Sequence, residues 1–351
     1  MLKNIDLSVI FYDVIDKKRV SLGWSPEINC NFDHYNINDR NDLDELLDKF
    51  EDHVHIVPGF RHGLLSRLIG KLNKKGINWV HWSERSGVGV AKLCRFNYKL
   101  FNVIYPFFLF FSGYYRYARL VNKYALGSLA IGDLAKTDFQ RWGIKNSIET
   151  VPYSLYGSNI MKDHDVNYNK VRFIYLGSLY PLKGIDELLM AAYRLSMETT
   201  NFEIWFVGND LSNGKYIRLT EEYGLDKMVN FIGPKKHTEV YEFLGNSDVL
   251  ILPTKFDGWG AVLNEAASVG LPLISTYQSG AATCFIEQNR NGFIYQPHDI
   301  NSLINAMNYY IKDPQLLSKH GQISRSKYLK TTPDKVAIRF VDAIKKFQDY
   351  R

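Results

Sequence analysis

Cysteine is scarce in this chain. Cys30, Cys94 and Cys284 are the only three in 351 residues. They are odd in number and widely spaced, so they form neither a disulfide framework nor a metal-ligand pattern, and a reducing compartment follows. The N-terminal MLKNIDLSVIF lacks the charged, long apolar and small-residue regions of a signal peptide and reads as a first β-strand. No apolar run suits a membrane-spanning helix. The strongest candidate, Phe96–Tyr117, is interrupted by Asn97, Lys99, Asn102 and Pro106. There is no short-period repeat and no low-complexity segment. What remains is ordinary for a globular protein, with 46% apolar and 23% charged residues. The length exceeds one compact core and suits two domains.

Charge is present but unevenly placed. Residues 61–145 hold 15 Lys and Arg against three acids (Glu84, Asp133 and Asp138), a net of +12, which leaves −6 for the rest of a chain whose total is +6. Nucleic acid, anionic lipid and phosphorylated substrates are the partner classes for such a face. Inside this region, 11 of the 22 residues of Phe96–Tyr117 are aromatic. Two readings fit: a helix lying in a membrane interface, or a buried inter-domain helix. Nucleic acid fits less well, because the aromatics form one apolar block and do not alternate with the basic residues.

Strand-like apolar runs alternate with helical patterns throughout, the signature of βαβ units and parallel sheets. The first half reads as strands at Asp6–Asp13, Asn31–Ile37, Val54–Val57, Asn78–Trp82 and Ser128–Ile131. Helices fall at Leu43–Phe50, Leu64–Lys74, Val88–Phe96 and Lys136–Trp142. Ile148–Asn159 reads as turn, and 164–170 as a polar linker. The second half repeats the rhythm more cleanly, from the strand VRFIYLGSL at 171 to helices Ile300–Ile311 and Pro333–Tyr350. The expected architecture is α/β: two doubly wound, Rossmann-like domains facing across a cleft. Residues 1–163 plus the helix 333–351 form the first, and 164–332 the second. Open α/β sheets place ligands beyond the carboxyl ends of their strands.

The most informative stretch is DGWGAVLNE, Asp257–Glu265. A glycine-lined loop running into a helix presents free backbone N–H groups and a positive dipole end, a site for an anion. Asp257 at its start and Glu265 on the helix can hold hydroxyl-rich groups on either side of that anion. Anion plus hydroxyls suits a sugar nucleotide. The plainer reading is a strand–loop–helix connection with solvated carboxylates.

Three motifs in order carry a resemblance. GSLYPLKG (177–184) resembles the phosphate loop, DGWGAVLNE the Glu-x7-Glu motif, and SGAATCFIEQNRNGFIYQPHD (279–299) a later segment of the retaining GT-B glycosyltransferases of family 4, also called group 1. The resemblance covers about 150–330; the first half matches in rhythm only. It implies that Lys183 faces the donor diphosphate as a point charge and that Asp257 contacts the donor sugar. Gly258, Trp259, Gly260 and Ala261 would offer backbone N–H groups, and Glu265 would take the ribose hydroxyls. Gly177 and Ser178 belong to the phosphate loop, Gly280 and Ala281 (with Ala282) add backbone contacts, and Ile232 and Gly233 lie where the base is held. Two departures stand out: Asp257 is one methylene shorter than the family's Glu, and Ser178 replaces the loop's usual arginine, which would have clamped phosphate in bidentate fashion. Arg85 is a conceivable replacement.

In the first half, VHWSERSG (80–87) follows a strand where the family often has a His-x-His-Glu type end. His81 and Glu84 are therefore the candidate catalytic residues of the acceptor side, beside Asp257 and Lys183. A packed histidine and a surface Glu–Arg pair is the competing reading. The family's glycine-rich loop after the first strand is replaced by Ser21–Trp24. No Asp-x-Asp loop with apolar flanks stands out, so the resemblance implies a hexosyltransferase-type enzyme with no metal and no other cofactor. Its donor would be a nucleoside-diphosphate sugar and its acceptor a lipid-linked or oligosaccharide intermediate of bacterial surface polysaccharide (O-antigen, capsule or lipopolysaccharide). The expected location is the cytoplasm, with peripheral contact on the inner-membrane surface and no nucleic-acid partner. A sugar-nucleotide epimerase or phosphorylase on the same fold, or a catalytically silent partner subunit, are the alternatives.

Overall fold

A computed structural model describes residues 8–11, 33–36, 40–59, 63–85, 103, 104, 107, 111, 113–158, 161, 162 and 170–349. The expected helix Val88–Phe96, the Ser21–Trp24 turn and residues 163–169 of the linker region lie outside them. Every named strand pairing is parallel. Strands β1 (Ser8–Phe11) and β2 (Asp33–Asn36) pair with each other. A second sheet runs in sequence order through β3 (His55–Pro58), β4 (Trp79–Ser83), β5 (Ser128–Ala130) and β6 (Ile148–Thr150). Its helices are α1 (Arg40–Lys49), α2 (Gly63–Lys75), α3 (Tyr114–Tyr124) and α4 (Asp133–Arg141).

The third sheet has six strands: β7 (Val171–Leu176), β8 (Phe202–Val207), β9 (Val229–Gly233), β10 (Val249–Leu252), β11 (Leu273–Thr276) and β12 (Gly292–Tyr295). They lie in the order β12-β11-β10-β7-β8-β9. Helices α5 (Ile185–Ser196), α6 (Lys215–Glu222), α7 (His237–Gly245), α8 (Val262–Val269) and the short α9 (Ala282–Phe285) alternate with these strands. Helices α10 (Ile300–Lys312), α11 (Leu316–Leu329) and α12 (Pro333–Asp349) follow. Burial on both faces explains the sequence of the central strands: in β10, Val249–Leu252, all four residues are buried, as parallel sheets covered by helices require. From β7 the chain winds outward through β8 and β9, then returns beside β7 as β10 and winds the other way. The switch of direction lies between β7 and β10, and ligand crevices open at that point.

Helix α12 crosses back to the first half. Val336, Ala343 and Phe347 pack on Val80, Leu129 and Val151, and Phe340 meets Trp82 edge-on at 5.8 Å. A Cβ on Gly127 would lie 2.6 Å from the Phe347 ring, so this docking needs glycine there.

Two elements differ from expectation. Ile148–Thr150, read as turn, is the edge strand β6, because pairing with Ser128–Ala130 supplies the order that its short, half-buried sequence does not advertise. Helix α11 was not anticipated. Its buried positions Leu317, His320, Gly321, Ser324 and Tyr328 have helical spacing, but three of the five are polar or glycine, so no apolar period marks them.

Candidate functional site

The loops after β7 and β10, on either side of the switch point, carry Lys183 and Asp257. Pro181–Lys183 form a single 3-10 turn capped by Gly184 at the start of α5. From there the Lys183 ammonium pairs with the Asp257 carboxylate. Both side chains are largely enclosed, at 17% and 18% exposure. The base beneath Lys183 is fixed by Glu187 of α5, buried between Lys255 (3.2 Å) and His298 Nδ1 (2.7 Å). Burial alone would push the Glu187 carboxyl up, but bonds from His298 and Lys255 hold it below the usual carboxylate range.

The DGWG loop is locked from the other side by 279–281. Asp257 N–H donates to the Gln278 carbonyl at 3.1 Å, and Ala281 N–H to the Trp259 carbonyl at 2.7 Å. The Trp259 indole is buried and donates to Asn264 Oδ1 at 2.8 Å, so Trp259 offers its backbone to the cleft and its ring to the core. The N–H groups of Gly260, Ala261 and Val262, at the start of α8, make no hydrogen bond among the described residues. They are the orphan donors of a helix N-terminus, aimed where an anion is favoured. Gly260 holds a φ of 91° that a side chain would strain.

Glu265 sits one turn along α8. It is 12% exposed, with His237 of α7 at 3.8 Å, and burial pushes its carboxyl up to about 7. Gly177 and Ser178 follow β7, and the Ser178 carbonyl accepts from Tyr175 Oη at 2.9 Å. Ile232 and Gly233 end β9 two strands away, and the Gly233 carbonyl accepts from Gly208 N–H. Gly280 packs against the Gly258 carbonyl, where its Cβ would come within 2.2 Å.

The four-stranded sheet reaches this site through Glu84. A Cβ on Gly258 would stand 2.5 Å from the Glu84 carboxyl carbon, so the loop after β4 touches the DGWG loop directly. Glu84 keeps one side open to solvent yet is crowded on the others. Burial, and then the Asp257 charge, raise its pKa, opposed by Lys183. Open and crowded at once is the signature of a residue on the wall of a cleft.

His81 is not in that cleft. It is 0% exposed, and its ring packs against Tyr117 at 5.2 Å, Phe139 at 4.6 Å and Trp142 at 6.4 Å. Burial drives its pKa down to about 3, which keeps it neutral. Strand geometry is the reason. Position 81 lies inside β4 and points into the layer between the sheet and helices α3 and α4, whereas Glu84 lies just past the strand's end. Arg85 is no phosphate clamp either. Its guanidinium, 4% exposed, donates to Asp138 at 3.3 Å and to the Gln278 side chain at 2.9 Å, and stacks 4.6 Å from the Phe256 ring. It ties the four-stranded sheet to the strand-end that carries Asp257. Together with Gly132, whose Cβ would fall 2.7 Å from the Trp259 ring, it seams the two halves. Sequence reasoning missed Gln278 and Asp138, which belong to no motif, and Asn264, which lies inside DGWGAVLNE without a role assigned to it; their burial shows them.

A doubly wound six-stranded parallel sheet meeting a four-stranded parallel sheet, with a last helix returning to the latter, fits the GT-B fold of glycosyltransferases. The lipopolysaccharide outer core galactosyltransferase WaaB, in its apo form, superposes with a TM-score of 0.69 at 18% identity, over 97% of this chain and 99% of that one. Anabaena HepE in complex with UDP superposes at 0.61 with 15% identity, over 97% and 100%. Residues 158–327, just under half of the chain, match the family of glycosyl transferases group 1. Among curated proteins, a glycogen synthase of Mycobacterium tuberculosis is 24% identical over 154 residues, 44% of this chain and 37% of that protein. The chain thus spans well under half of that relative.

Proposed function

We propose that this chain is a retaining glycosyltransferase of family 4 that moves a sugar from a nucleoside-diphosphate donor to a lipid-linked or oligosaccharide acceptor in bacterial surface polysaccharide assembly. The carrying observation is the Lys183–Asp257 pair beside three orphan N–H groups, met in direct contact by Glu84 from the other half. HepE is a neighbour solved with UDP, which makes UDP the first probe, and WaaB, a lipopolysaccharide galactosyltransferase by name, points to the same class of acceptor.

In this reading a donor diphosphate draws Lys183 from Asp257, and Asp257 is released to the sugar's hydroxyls. The bond between the anomeric carbon and the diphosphate breaks, and charge grows on the leaving oxygen. Lys183 and the α8 N–H groups stabilise that charge; the reading assigns no metal or other cofactor to the step. The acceptor oxygen bonds to the anomeric carbon on the face the diphosphate leaves. Its proton passes to the leaving phosphate oxygen, and the nucleoside diphosphate departs. Glu84 orients the acceptor hydroxyl. Glu265 accepts hydrogen bonds from the ribose.

Ser178 favours a second reading, a nucleotide-binding partner without turnover, since Arg85 and Lys255 are both tied to carboxylates and leave the loop to Lys183. UDP and UDP-sugars decide between them. Stabilisation by UDP, by about 2.7 kcal/mol at 100 times its dissociation constant, together with sugar release from a UDP-sugar, supports the transferase. Stabilisation without release from any nucleotide sugar supports the silent partner. No stabilisation by any nucleotide removes both.

A further inference from the structure

Asn264 lies between two residues of the proposed donor site, Trp259 and Glu265, and it is 0% exposed. Its Oδ1 accepts from the Trp259 indole at 2.8 Å, and its Nδ2 donates to the Tyr153 carbonyl at 2.9 Å. An indole N–H only donates and a backbone carbonyl only accepts. A side-chain amide, with one end of each kind, joins them; a leucine of similar size would leave both partners unpaired.

Tyr153 stands where the chain passes from one half to the other. At Val151 it still pairs with the four-stranded sheet, through its N–H and the Ala130 carbonyl at 2.9 Å. From Tyr153 onward the C-terminal half holds it. Tyr328 Oη donates to the Leu155 carbonyl at 3.3 Å and accepts from Gly157 N–H at 2.6 Å. Tyr241 Oη donates to the Tyr156 carbonyl at 3.0 Å, and Ser158 N–H donates to Ser268 Oγ at 2.9 Å. Among the described residues that hold this linker by a side chain, Asn264 is the one that also bonds the DGWG loop. At the loop end, the Trp259 carbonyl accepts from Ala281 N–H at 2.7 Å and from Ser279 Oγ at 3.0 Å. With its ring and its carbonyl both held, Trp259 fixes the peptide planes that follow, and those carry the N–H groups of 260–262.

We propose that Asn264 is a positioning residue for the donor. By tying the Trp259 indole to the Tyr153 carbonyl, it sets the anion-facing N–H groups against the start of the linker, so that filling the nucleotide site and ordering the linker are coupled. The proposal rests on the proposed function for the ligand's class, a nucleoside diphosphate. Such coupling is reciprocal: as the ligand steadies the linker, the linker raises the ligand's affinity. An apolar residue at 264 would pack α8 equally well and pass nothing between the two. Burying an amide is costly unless both of its ends are bonded, and here both are.

The test is backbone hydrogen exchange of the full chain, with and without UDP, each variant read at its own UDP saturation. In wild type, UDP should slow exchange across 151–158 by about fivefold or more, the lower end of ordinary coupling between sites. Asn264→Leu should abolish that slowing and weaken UDP binding about tenfold. Because this variant strands the indole N–H, Trp259→Phe with Asn264→Leu is made beside it. That pair is apolar, its melting temperature reports folding, and its linker should be equally unresponsive. Tyr241→Phe removes a linker bond that does not lead to the loop, and should keep the response. UDP binding to wild type with no change at 151–158 overturns this proposal alone. So does a response of wild-type size in a folded Asn264 variant, or loss of the response in Tyr241→Phe, which would make Asn264 one structural tie among several. Absence of UDP binding to wild type overturns the nucleotide reading together with it.

Discussion

The two walls of the cleft are made of different material. The proposed donor wall is backbone, glycine and three charged side chains, Lys183, Asp257 and Glu265, set where a six-stranded sheet reverses its order. The proposed acceptor wall offers Glu84: His81 and Arg85 on either side are consumed by packing and by the seam between the halves. A phosphate and a ribose demand the same few donors and acceptors wherever they bind. The acceptor wall has no such common demand. Removing donor-wall groups should therefore damage everything the site does, and removing acceptor-wall groups should damage transfer selectively.

The largest effect belongs to Lys183. Lys183→Ala should lower turnover by about 10²–10³-fold, the scale of one lost stabiliser of developing charge, with a smaller rise in the donor's Michaelis constant. If only the Michaelis constant moves, Lys183 serves binding alone.

Next comes the seam. Arg85→Ala leaves Asp138, 1% exposed, with the more distant Arg141 at 3.8 Å. Breaking a buried pair this way costs about 3–5 kcal/mol, and urea unfolding would measure it. Arg85→Lys should recover part of the stability but not the two-point hold on Gln278. Equal stability of Arg85→Ala and wild type would mean the seam holds nothing.

Glu265 sharpens the donor side. Glu265→Gln should weaken UDP binding by about 1.5–3 kcal/mol, the scale of a hydrogen bond to a charged group. Its carboxyl titrates near 7 in the fold against an ordinary value of 4.5. The folded state therefore keeps a proton that the unfolded chain loses, and ionisation costs stability as pH rises from 4.5 to 7. Ribose hydroxyls need the ionised form, so UDP affinity should rise through about pH 7, and Glu265→Gln should flatten both dependences. A wild type with a flat profile would put Glu265 outside the ribose site.

His81 should have the smallest effect on chemistry. His81→Phe should leave turnover near the wild-type rate. Because the folded pKa is near 3 and the ordinary value 6.5, the unfolded chain binds a proton that the fold refuses, and wild-type stability falls as pH drops from 6.5 toward 3. His81→Phe should remove that loss; melting temperatures at acid pH would show it.

How far the sequence could be read follows the same division. Strands such as VLIL at 249–252 and the loop at Asp257–Glu265 were legible, because burial on both faces forces continuous apolar runs and an anion loop forces glycine. His81 misled for a geometric reason: a motif gives residue types, but whether position 81 or 84 clears the strand's end depends on where the ladder stops. Arg85 misled because its partners, Asp138 and Gln278, are 53 and 193 residues away. Helix α11 escaped notice because small and polar residues fill its buried face. Of the aromatic segment, Tyr114 and Tyr117 lie in the core, while Phe107 and Phe111 are exposed.

The central claim is that Asp257 and Glu84 face one sugar from opposite walls, and the most direct measurement compares two rates in each variant: transfer to an acceptor and slow hydrolysis of the donor by water. Asp257→Asn should depress both rates together, because both need the oriented sugar. Glu84→Gln should depress transfer strongly and leave hydrolysis close to wild type. If Glu84→Gln lowers both in equal proportion, or leaves transfer untouched, the two walls do not divide the reaction as described.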